Sequence, residues 1–452
     1  MRRNAIAALE AWLNNKRRKP LILWGARQVG KTYLVRDIFA EEYFANSYIY
    51  IDFRVENVIK DYCSATVDAG DIINFISVAK NKKIDSSTLL IFDEIQECPA
   101  IITALKYFCQ DHREIPVIAT GSMVRIKLKR MANKRGAGKE EPFLFPVGKI
   151  NQLTLYPMTF DEFLVNYNQS LYEYIVSSYR AKKPLESNYH ELAMDALYTY
   201  LLIGGMPEAV DTYLETGDLQ ESREVLKDLY DNYLADMELY QASPEAILKS
   251  RRIFNNIYRE LNKESKNFSP GIIEKGSKVR DYLTALDWLT LAHVVYRSMQ
   301  LKEHIVSPLS ADNDSAFRLF LSDVGMFAYQ SNATPESFIE RNSRNTLSGI
   351  FIENYVATEL TARDLPLFYW KGKNNSEIEF VIESEGKFYP IDAKKTKGSL
   401  PSLEKYKQHN KLDYAIKVSA NNYGYSEENK ILTVPLYEVF LIAEDLKNET
   451  RR

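Results

Sequence analysis

Two glycines, a lysine and a threonine near the start of the chain have the spacing of a phosphate-binding loop. The segment Gly25–Thr32 has the pattern Gly-x-x-x-x-Gly-Lys-Thr, and it lies between the apolar run Leu21–Trp24 and an apolar stretch of helical periodicity. In such a loop the backbone N–H groups surround a phosphate, and the positive end of the helix dipole points at the same anion. The residues predicted to bind the nucleotide are Gly25, Ala26, Arg27, Gln28, Val29, Gly30, Lys31 and Thr32.

Lys31 and Thr32 carry the charged and metal-binding groups of this loop. Lys31 is predicted to reach the β- and γ-phosphates of ATP, and the Thr32 hydroxyl is predicted to bind Mg²⁺. The alternative is a chance match in a surface turn. The strand before the loop and the helix after it favour a nucleotide site, because the motif requires that context.

Two carboxylates follow a second apolar run, within Thr88–Ile95. Asp93 and Glu94 stand at its end, and a continuous apolar run is typical of a strand buried on both faces of a parallel sheet. Because ligands bind outside the carboxyl ends of such strands, Asp93 is predicted to hold Mg²⁺ through water. Glu94 is predicted to activate the attacking water. The alternative is an acidic loop after an ordinary buried strand, which the upstream phosphate loop disfavours.

Composition and charge narrow the class of protein. A chain of 452 residues predicts two to four domains, and 45% hydrophobic with 26% charged residues is ordinary for a globular protein. The net charge of −3 excludes a uniformly basic coat for nucleic acid. Cys63, Cys98 and Cys109 have no metal-binding spacing, and their odd number suits a reducing compartment. Because no apolar run approaches a membrane span, we predict a cytoplasmic protein without a membrane partner.

Several motifs along the chain belong together. They are Gly25–Thr32, Phe92–Ile95, Ala119–Ser122, Leu155–Phe163, Tyr200–Val210 and Phe317–Gly325. As a set they resemble a family of prokaryotic AAA+ ATP-binding proteins with a fused C-terminal domain of unknown function, and the resemblance covers nearly the whole chain. It implies ATP and Mg²⁺ as cofactors. It also implies that a polar residue after the strand starting at Pro116 contacts the γ-phosphate, with Thr120 and Ser122 as candidates. A simple Thr-Gly-Ser turn is the alternative.

The chain departs from this family at one charged position. Related proteins usually have a Gly-Arg pair shortly before the Leu155–Phe163 motif, where this chain has Gly148-Lys149. If that arginine stabilises transition-state charge, Lys149 keeps the charge but loses the bidentate fork, and slow hydrolysis is expected. The preceding basic run, Arg125–Lys139, is predicted to contact phosphate backbones or a neighbouring subunit, or else to form a solvated loop.

The expected architecture is an α/β chain of four parts. It consists of a P-loop NTPase (AAA+-like) parallel-sheet domain over 1–160, a helical lid over 161–243, a winged helix-turn-helix over 244–330 and a restriction-endonuclease-like α/β domain over 331–452.

The predicted winged helix begins with a helix over Ile247–Leu261 and a short helix within Ser269–Lys275. Ser277 is predicted to cap a third helix before a strand near His293–Arg297. This third helix is predicted to have Val279, Leu283, Leu286 and Leu289 facing inward, and Lys278, Asp281, Tyr282 and Asp287 facing outward. Because that outward face is not basic, DNA recognition and an architectural or protein-binding role both stay open.

The last region combines acidic residues and a lysine on predicted strands. Its predicted elements are a helix over Gly349–Leu360, strands at Leu367–Trp370, Glu377–Ile382 and Phe388–Lys394, a helix near Leu403–His409 and a strand at Tyr414–Val418. This order, with Glu379 and Asp392-x-Lys394, resembles the PD-(D/E)xK nuclease core. The resemblance implies that Glu379 and Asp392 bind a metal ion and that Lys394 positions water or stabilises charge, with Glu353 as a third metal contact.

The nuclease-like region also departs from the usual pattern. Glutamate stands at 379 where aspartate is usual, and aspartate stands at 392 where glutamate is common. Each change alters the reach of a carboxylate by one methylene. The alternative is therefore an inactive core, with charged strand ends in a binding fold.

Three functions remain open for the whole chain. The first is an ATP-gated enzyme that binds or processes DNA or RNA. The second is an ATP-dependent switch or adaptor that acts on a protein partner and has an inactive nuclease-like domain. The third is an ATP-dependent loader on DNA. A homo-oligomer is compatible with each of them.

Overall fold

The structure is a computed structural model. It describes residues 1–121, 145–241, 243–339, 346–372, 376–394, 403, 406 and 415–449. Ser122, the basic run Arg125–Lys139, most of the helix predicted near Leu403–His409 and the side chain of Lys394 lie outside the described residues. The chain divides into two compact units. We call residues Arg3–Tyr156 the N-terminal unit, and Met1–Arg2 with Pro157–Arg452 the C-terminal unit.

The N-terminal unit is built around a five-stranded sheet in the order β2-β3-β4-β1-β5, and every neighbouring pair in it is parallel. Its strands are β1 Leu21–Trp24, β2 Tyr48–Asp52, β3 Leu89–Asp93, β4 Val117–Thr120 and β5 Asn151–Thr154. The central strands β1, β3 and β4 are buried along their whole length, as a sheet covered on both faces requires. The predicted α/β parallel sheet is thereby confirmed.

Helices cover this sheet and pack onto its apolar side chains. They are α1 Ala5–Asn14, a π-helix over Tyr33–Ala40 that continues as α2 Glu41–Phe44, α3 Asn57–Ala65, α4 Ala69–Ala79 and α5 Pro99–Asp111. Fully buried core residues such as Ile51, Phe92 and Phe108 join strands to helices. The helix predicted after the phosphate loop is present, but much of it is π-helical.

The C-terminal unit begins with helices and ends with two sheets. Its helices are α6 Phe160–Tyr167, α7 Gln169–Arg180, α8 Ser187–Ile203, α9 Pro207–Thr216, α10 Leu219–Tyr240, α11 Pro244–Phe254, α12 Ile257–Leu261, α13 Pro270–Ile273, α14 Leu283–Leu291, α15 Val324–Ser331, α16 Glu336–Ile339, α17 Thr346–Ala362 and α18 Val439–Glu449. No helix among the described residues is long and apolar enough to cross a membrane.

The two sheets of this unit have mixed strand directions. Their strands are β6 Val295–Gln300, β7 Phe317–Leu321, β8 Phe368–Lys371, β9 Glu377–Ile378, β10 Phe380–Ser384, β11 Lys387–Lys394, β12 Ala415–Ser419, β13 Gly424–Ser426 and β14 Ile431–Pro435. One sheet has the order β7-β6-β8-β9 and the other the order β10-β11-β12-β14-β13. The nuclease-like strands are therefore divided between two sheets, because β8 pairs with β6 rather than with β10.

The helices of residues 244–330 differ from the prediction. The expected single helix Ile247–Leu261 is two helices, α11 and α12. The third helix is not capped by Ser277: a 3₁₀ turn over Val279–Tyr282 precedes α14, and Lys278 N donates to Asp281 Oδ2 at 2.9 Å. Because a 3₁₀ turn has fewer residues per turn than an α-helix, it changes which side chains face inward.

Two side chains of this segment consequently face the opposite way from the prediction. Tyr282, expected on the outward face, is fully buried, and its hydroxyl donates to Glu274 Oε2 at 3.2 Å. Leu283, expected inside, is 41% exposed. Leu286 and Leu289 are buried as predicted, and β6 and β7 form an antiparallel pair after the helix. The winged-helix assignment itself stays a prediction.

Candidate nucleotide site and acidic cluster

The phosphate loop leaves β1 through a position that only glycine fits. Gly25 has φ +144°, and a Cβ there would lie 2.2 Å from Leu155 O. Gln28 and Gly30 also have positive φ, at 62° and 86°, so the backbone reverses its direction twice before the helix begins. Val29 is fully buried between these two turns. The loop is thus folded compactly against β1 and the residue that follows β5.

The Lys31 ammonium lies inside this loop. Its Nζ donates to Gly25 O at 3.1 Å and to Ala26 O at 2.7 Å, and the residue is only 8% exposed. Burial lowers the pKa of Lys31 to about 8, while the carboxylates of Glu94 and Asp93 act in the opposite direction. A buried cation held by carbonyl oxygens is therefore available at the centre of the loop.

Asp93 accepts hydrogen bonds from three side-chain hydroxyl groups. Its Oδ2 accepts from the Thr32 hydroxyl at 2.7 Å and from the Tyr50 hydroxyl at 2.8 Å. Its Oδ1 accepts from the Thr120 hydroxyl and from Glu94 N, the latter at 2.9 Å. The structure thus brings together Thr32, Asp93 and Thr120, which are far apart in the sequence.

Glu94 has an unusual backbone and two side-chain partners. It adopts the left-handed conformation at φ 52°, which is uncommon for a residue with a side chain. Its Oε1 lies 2.7 Å from Arg54 Nη2, and its Oε2 accepts from Gln96 Nε2. Burial raises the pKa of the Glu94 carboxyl, and the Arg54 charge opposes that rise. The carboxylate is thus held by a cation in the present conformation.

Sequence reasoning did not identify Tyr50, Arg54 and Gln96 as site residues. Tyr50 and Arg54 belong to β2 and the turn after it, and β2 lies beside β3 with Asp52 paired to Asp93. A signal for Tyr50 existed in the alternation of Tyr48–Asp52, but nothing local indicated which strand would be the neighbour of β3. Gln96 could have been proposed from the sequence, because it follows Glu94 by only two residues.

The groups at this site fit a nucleoside triphosphate with Mg²⁺. The Thr32 hydroxyl and the Asp93 carboxylate offer the hard oxygen atoms that Mg²⁺ prefers. Lys31 offers a full positive charge to phosphates, and the loop N–H groups offer partial positive charges. Lys149 lies in the turn before β5, where its N–H donates to Pro146 O at 3.0 Å, and the described contacts do not link it to Lys31 or Glu94.

Acidic residues of the C-terminal unit form a second cluster. Phe380 pairs with Ile391 in the antiparallel ladder, so the next facing positions are Glu379, just before β10, and Asp392, on β11. Glu379 and Asp392 are 4% and 1% exposed, and Glu353 on α17 is 4% exposed. Glu379 itself interrupts the predicted strand, because β9 ends before it in one sheet and β10 begins after it in the other.

Two cations lie within this acidic cluster. Arg318 on β7 is fully buried, its guanidinium is 3.9 Å from Glu353 Oε2, and it also contacts Glu377. It stacks 4.1 Å over the ring of Tyr369. Burial lowers the pKa of Arg318, and the charges of Glu353 and Glu379 oppose that effect. Lys266 forms a second ion pair with Glu353.

Within the part of the chain that the structure describes, no group of three or more His, Cys, Asp or Glu side chains is arranged to hold a metal ion. The backbone of Lys394 ends β11, next to Asp392. The roles of Glu353, Glu379, Asp392 and Lys394 in metal-dependent cleavage stay predictions.

Three family models match parts of the chain. Residues 17–164 match an AAA domain. Residues 194–337 match a domain of unknown function (DUF8612), and residues 348–438 match another domain of unknown function (DUF4143). No curated protein is significantly similar to this chain. These matches fit a nucleotide-binding, AAA-like ATPase domain at the N-terminus, followed by two domains of unknown function.

Proposed function

We propose that the N-terminal unit binds ATP and hydrolyses it with Mg²⁺. The observation that carries this proposal is the convergence on Asp93 of the hydroxyl groups of Thr32 and Thr120, one from the phosphate loop and one from β4. Lys31 is buried in the same loop, and Glu94 follows Asp93 directly. Bound Mg²⁺ would supply positive charge that withdraws electron density from the phosphate oxygens.

Lys31 provides the fixed positive charge of the proposed site. Its ammonium donates to Gly25 O and Ala26 O, which are neutral acceptors. The phosphate oxygens of ATP are anionic and form stronger hydrogen bonds, so Lys31 Nζ exchanges these carbonyls for the β- and γ-phosphates. A neighbouring triphosphate also favours the charged ammonium and raises again the pKa that burial lowers to about 8.

Glu94 is the proposed general base. Burial raises the pKa of its carboxyl, and a more basic carboxylate takes a proton from the attacking water more readily. The Arg54 guanidinium works against this, because it stabilises the ionised carboxylate at a distance of 2.7 Å. Glu94 therefore acts after its release from Arg54. Thr120 is the proposed group that exchanges Asp93 for the γ-phosphate, while Ser122 and Lys149 stay predictions for the same step.

Two substitutions test this function. Lys31→Ala removes the counter-charge of the phosphates and is expected to weaken ATP binding and turnover together. Glu94→Gln is expected to spare binding and to lower turnover on the order of a hundredfold or more, because it removes the base. Glu97→Gln serves as a control for the same chemical change nearby. Hydrolysis at the wild-type rate in both Lys31→Ala and Glu94→Gln would overturn the assignment.

We further propose that the nucleotide state controls the C-terminal unit. One candidate is binding or processing of DNA or RNA through the winged-helix and nuclease-like regions. The other is a switch or adaptor for a protein partner without cleavage. The cations in the acidic cluster favour the switch, because Arg318 and Lys266 both pair with Glu353, the predicted third metal contact.

One assay separates these two candidates. ATP turnover is measured with and without DNA and RNA, and the integrity of the strands is followed in the same tube with Mg²⁺ or Mn²⁺. The switch predicts intact strands under all conditions. Cleavage that disappears in Asp392→Asn and Lys394→Ala would instead establish the nuclease. Lys31→Ala should lower ATP binding and turnover, and a change of cleavage in that variant would show that the nucleotide state controls it.

A further inference from the structure

Arg3 connects the start of the chain to the phosphate loop. Its Nη1 donates to Val29 O at 3.1 Å and its Nη2 donates to Tyr156 O at 2.7 Å. The residue is only 7% exposed. A planar guanidinium that donates to two carbonyls at once holds them at a fixed separation and orientation. Val29 O belongs to the loop, whereas Tyr156 O belongs to the segment that follows β5.

The segment next to Tyr156 supports the same loop from behind. Leu155 N donates to Trp24 O at 2.8 Å, which extends the pairing of β1 with β5 by one residue. A Cβ on Gly25 would lie 2.2 Å from Leu155 O, so the loop backbone and Leu155 are in close contact. Gly25, the first residue of the loop, thus lies against Leu155. Val29, the fifth, is connected through Arg3 to Tyr156.

The contact with Val29 O determines where a loop N–H group points. In a trans peptide the C=O of one residue and the N–H of the next lie in one plane and point in opposite directions. When Arg3 holds Val29 O on its own side, the N–H of Gly30 is turned to the other side. A phosphate site needs loop N–H groups that converge on the anion, so fixing this peptide plane orients a donor before ATP arrives.

We propose that Arg3 is a positioning residue for the phosphate-binding loop, acting through the Val29–Gly30 peptide on ATP affinity. This proposal rests on the proposed ATP site and adds a residue that lies outside the phosphate motif. Arg3 does not touch the substrate in this role. It pre-organises the loop, and the gain in affinity comes from avoiding the cost of ordering the loop on binding.

The neighbouring residue Arg2 offers a matched control. It has the same side chain and charge, but it is anchored through its backbone: Arg2 N donates to Asn166 Oδ1 at 2.9 Å, and Asn166 Nδ2 donates to Arg2 O at 3.1 Å. Replacement of the Arg2 side chain leaves these bonds in place. Arg2→Ala therefore removes one positive charge from the N-terminus without touching Val29 or Tyr156.

The test compares ATP affinity and turnover in Arg3→Ala, Arg3→Lys, Arg2→Ala and Lys31→Ala. A fluorescent ATP analogue gives the Kd, and phosphate release gives kcat and KM. We expect Arg3→Ala to raise the Kd about tenfold, since two charge-assisted hydrogen bonds are lost, and to change kcat at saturating ATP less than about threefold. Arg3→Lys can donate to one carbonyl at a time and is expected to raise the Kd about threefold. Arg2→Ala is expected to bind as the wild type does.

The outcomes distinguish this inference from the function on which it rests. If the wild type binds no ATP, or if Lys31→Ala binds as tightly as the wild type, the proposed ATP site itself fails. If Lys31→Ala loses binding while Arg3→Ala and Arg3→Lys keep the wild-type Kd, only the role of Arg3 is overturned. A fall in kcat larger than the change in Kd also overturns it, because positioning for binding leaves Glu94 untouched. Should Arg3→Ala not fold, the Kd of Arg3→Lys decides.

Discussion

Removing the cation that holds Glu94 is expected to accelerate ATP hydrolysis. Arg54 Nη2 lies 2.7 Å from Glu94 Oε1, and this ion pair lowers the basicity of the carboxylate. In Arg54→Ala the Glu94 carboxylate is more basic and no longer held by an ion pair with residue 54. Because the Arg54 side chain is 41% exposed, solvent screens the pair, and it contributes about 1 kcal/mol at most. That free energy corresponds to about a fivefold increase in kcat.

Steady-state phosphate release at saturating ATP measures this effect. Lys83→Ala is the control, because its side chain is 87% exposed and its loss changes the net charge equally. We expect a two- to fivefold gain in kcat for Arg54→Ala, none for Lys83→Ala, and none when Arg54→Ala is combined with Glu94→Gln. A fall of tenfold or more in Arg54→Ala would refute the reasoning, because it would make Arg54 part of the catalytic machinery rather than a restraint on the base.

Three further predictions concern the C-terminal unit. Gly205→Ala places a Cβ 1.9 Å from Met158 O and is expected to lower the free energy of unfolding in urea by about 2–4 kcal/mol. Gly349→Ala, with open space in a helix, is the control and should raise it slightly. Burial raises the pKa of Glu438 to about 8 from 4.5, so the folded state keeps a proton that the unfolded chain releases, and stability falls as pH rises between these values. Burial also raises the pKa of Glu359 to about 7 and of Asp323 to about 6, so Glu438→Gln is expected to reduce this slope in unfolding, most clearly above pH 7, and an unchanged slope would contradict the assignment. Arg318→Met removes the buried cation beside Glu353 and Glu379, should cost about 3–5 kcal/mol, and should make thermal stability depend on Mg²⁺. A wild type that is stabilised by Mg²⁺ to the same extent would exclude Arg318 as the internal cation.

The phosphate loop could be predicted from the sequence because its chemistry is contiguous. Tight turns, loop N–H groups and a lysine are all specified within Gly25–Thr32, and a buried strand on one side is recognisable by its apolar run. Asp93 and Glu94 were likewise predictable, since the end of a buried parallel strand is where ligands bind. For these residues the local sequence pattern is enough to predict the position in the folded sheet.

The partners of these residues could not be predicted because they come from distant parts of the chain. Arg54 reaches Glu94 only because β2 pairs with β3. Arg3 reaches Tyr156 across 153 residues of sequence. Nothing in the sequence around either arginine distinguishes it from a solvated surface charge. The order of strands in a sheet decides such contacts, and hydrophobic periodicity does not encode that order.

The errors in the C-terminal unit have a similar physical origin. The pattern Glu377–Ile382 alternates like one strand, but the chain bends at Glu379 and its halves join different sheets. Alternation shows which face of a strand is buried, and it does not show which sheet the strand joins. Tyr282 faced inward because a 3₁₀ turn replaced the first turn of the expected helix.

The residues on both sides of Pro157 form hydrogen bonds within their own units. On the N-terminal side, Leu155 N is bonded to Trp24 O, and Tyr156 O accepts from Arg3. On the C-terminal side, Met158 N donates to Gly205 O at 2.6 Å, and Met158 O accepts from the Tyr200 hydroxyl at 2.7 Å.

Two residues further on, Phe160 N donates to Glu359 Oε1 at 2.8 Å, so the first turn of α6 is bonded to α17. Within each unit, hydrogen bonds thus hold the backbone next to Pro157.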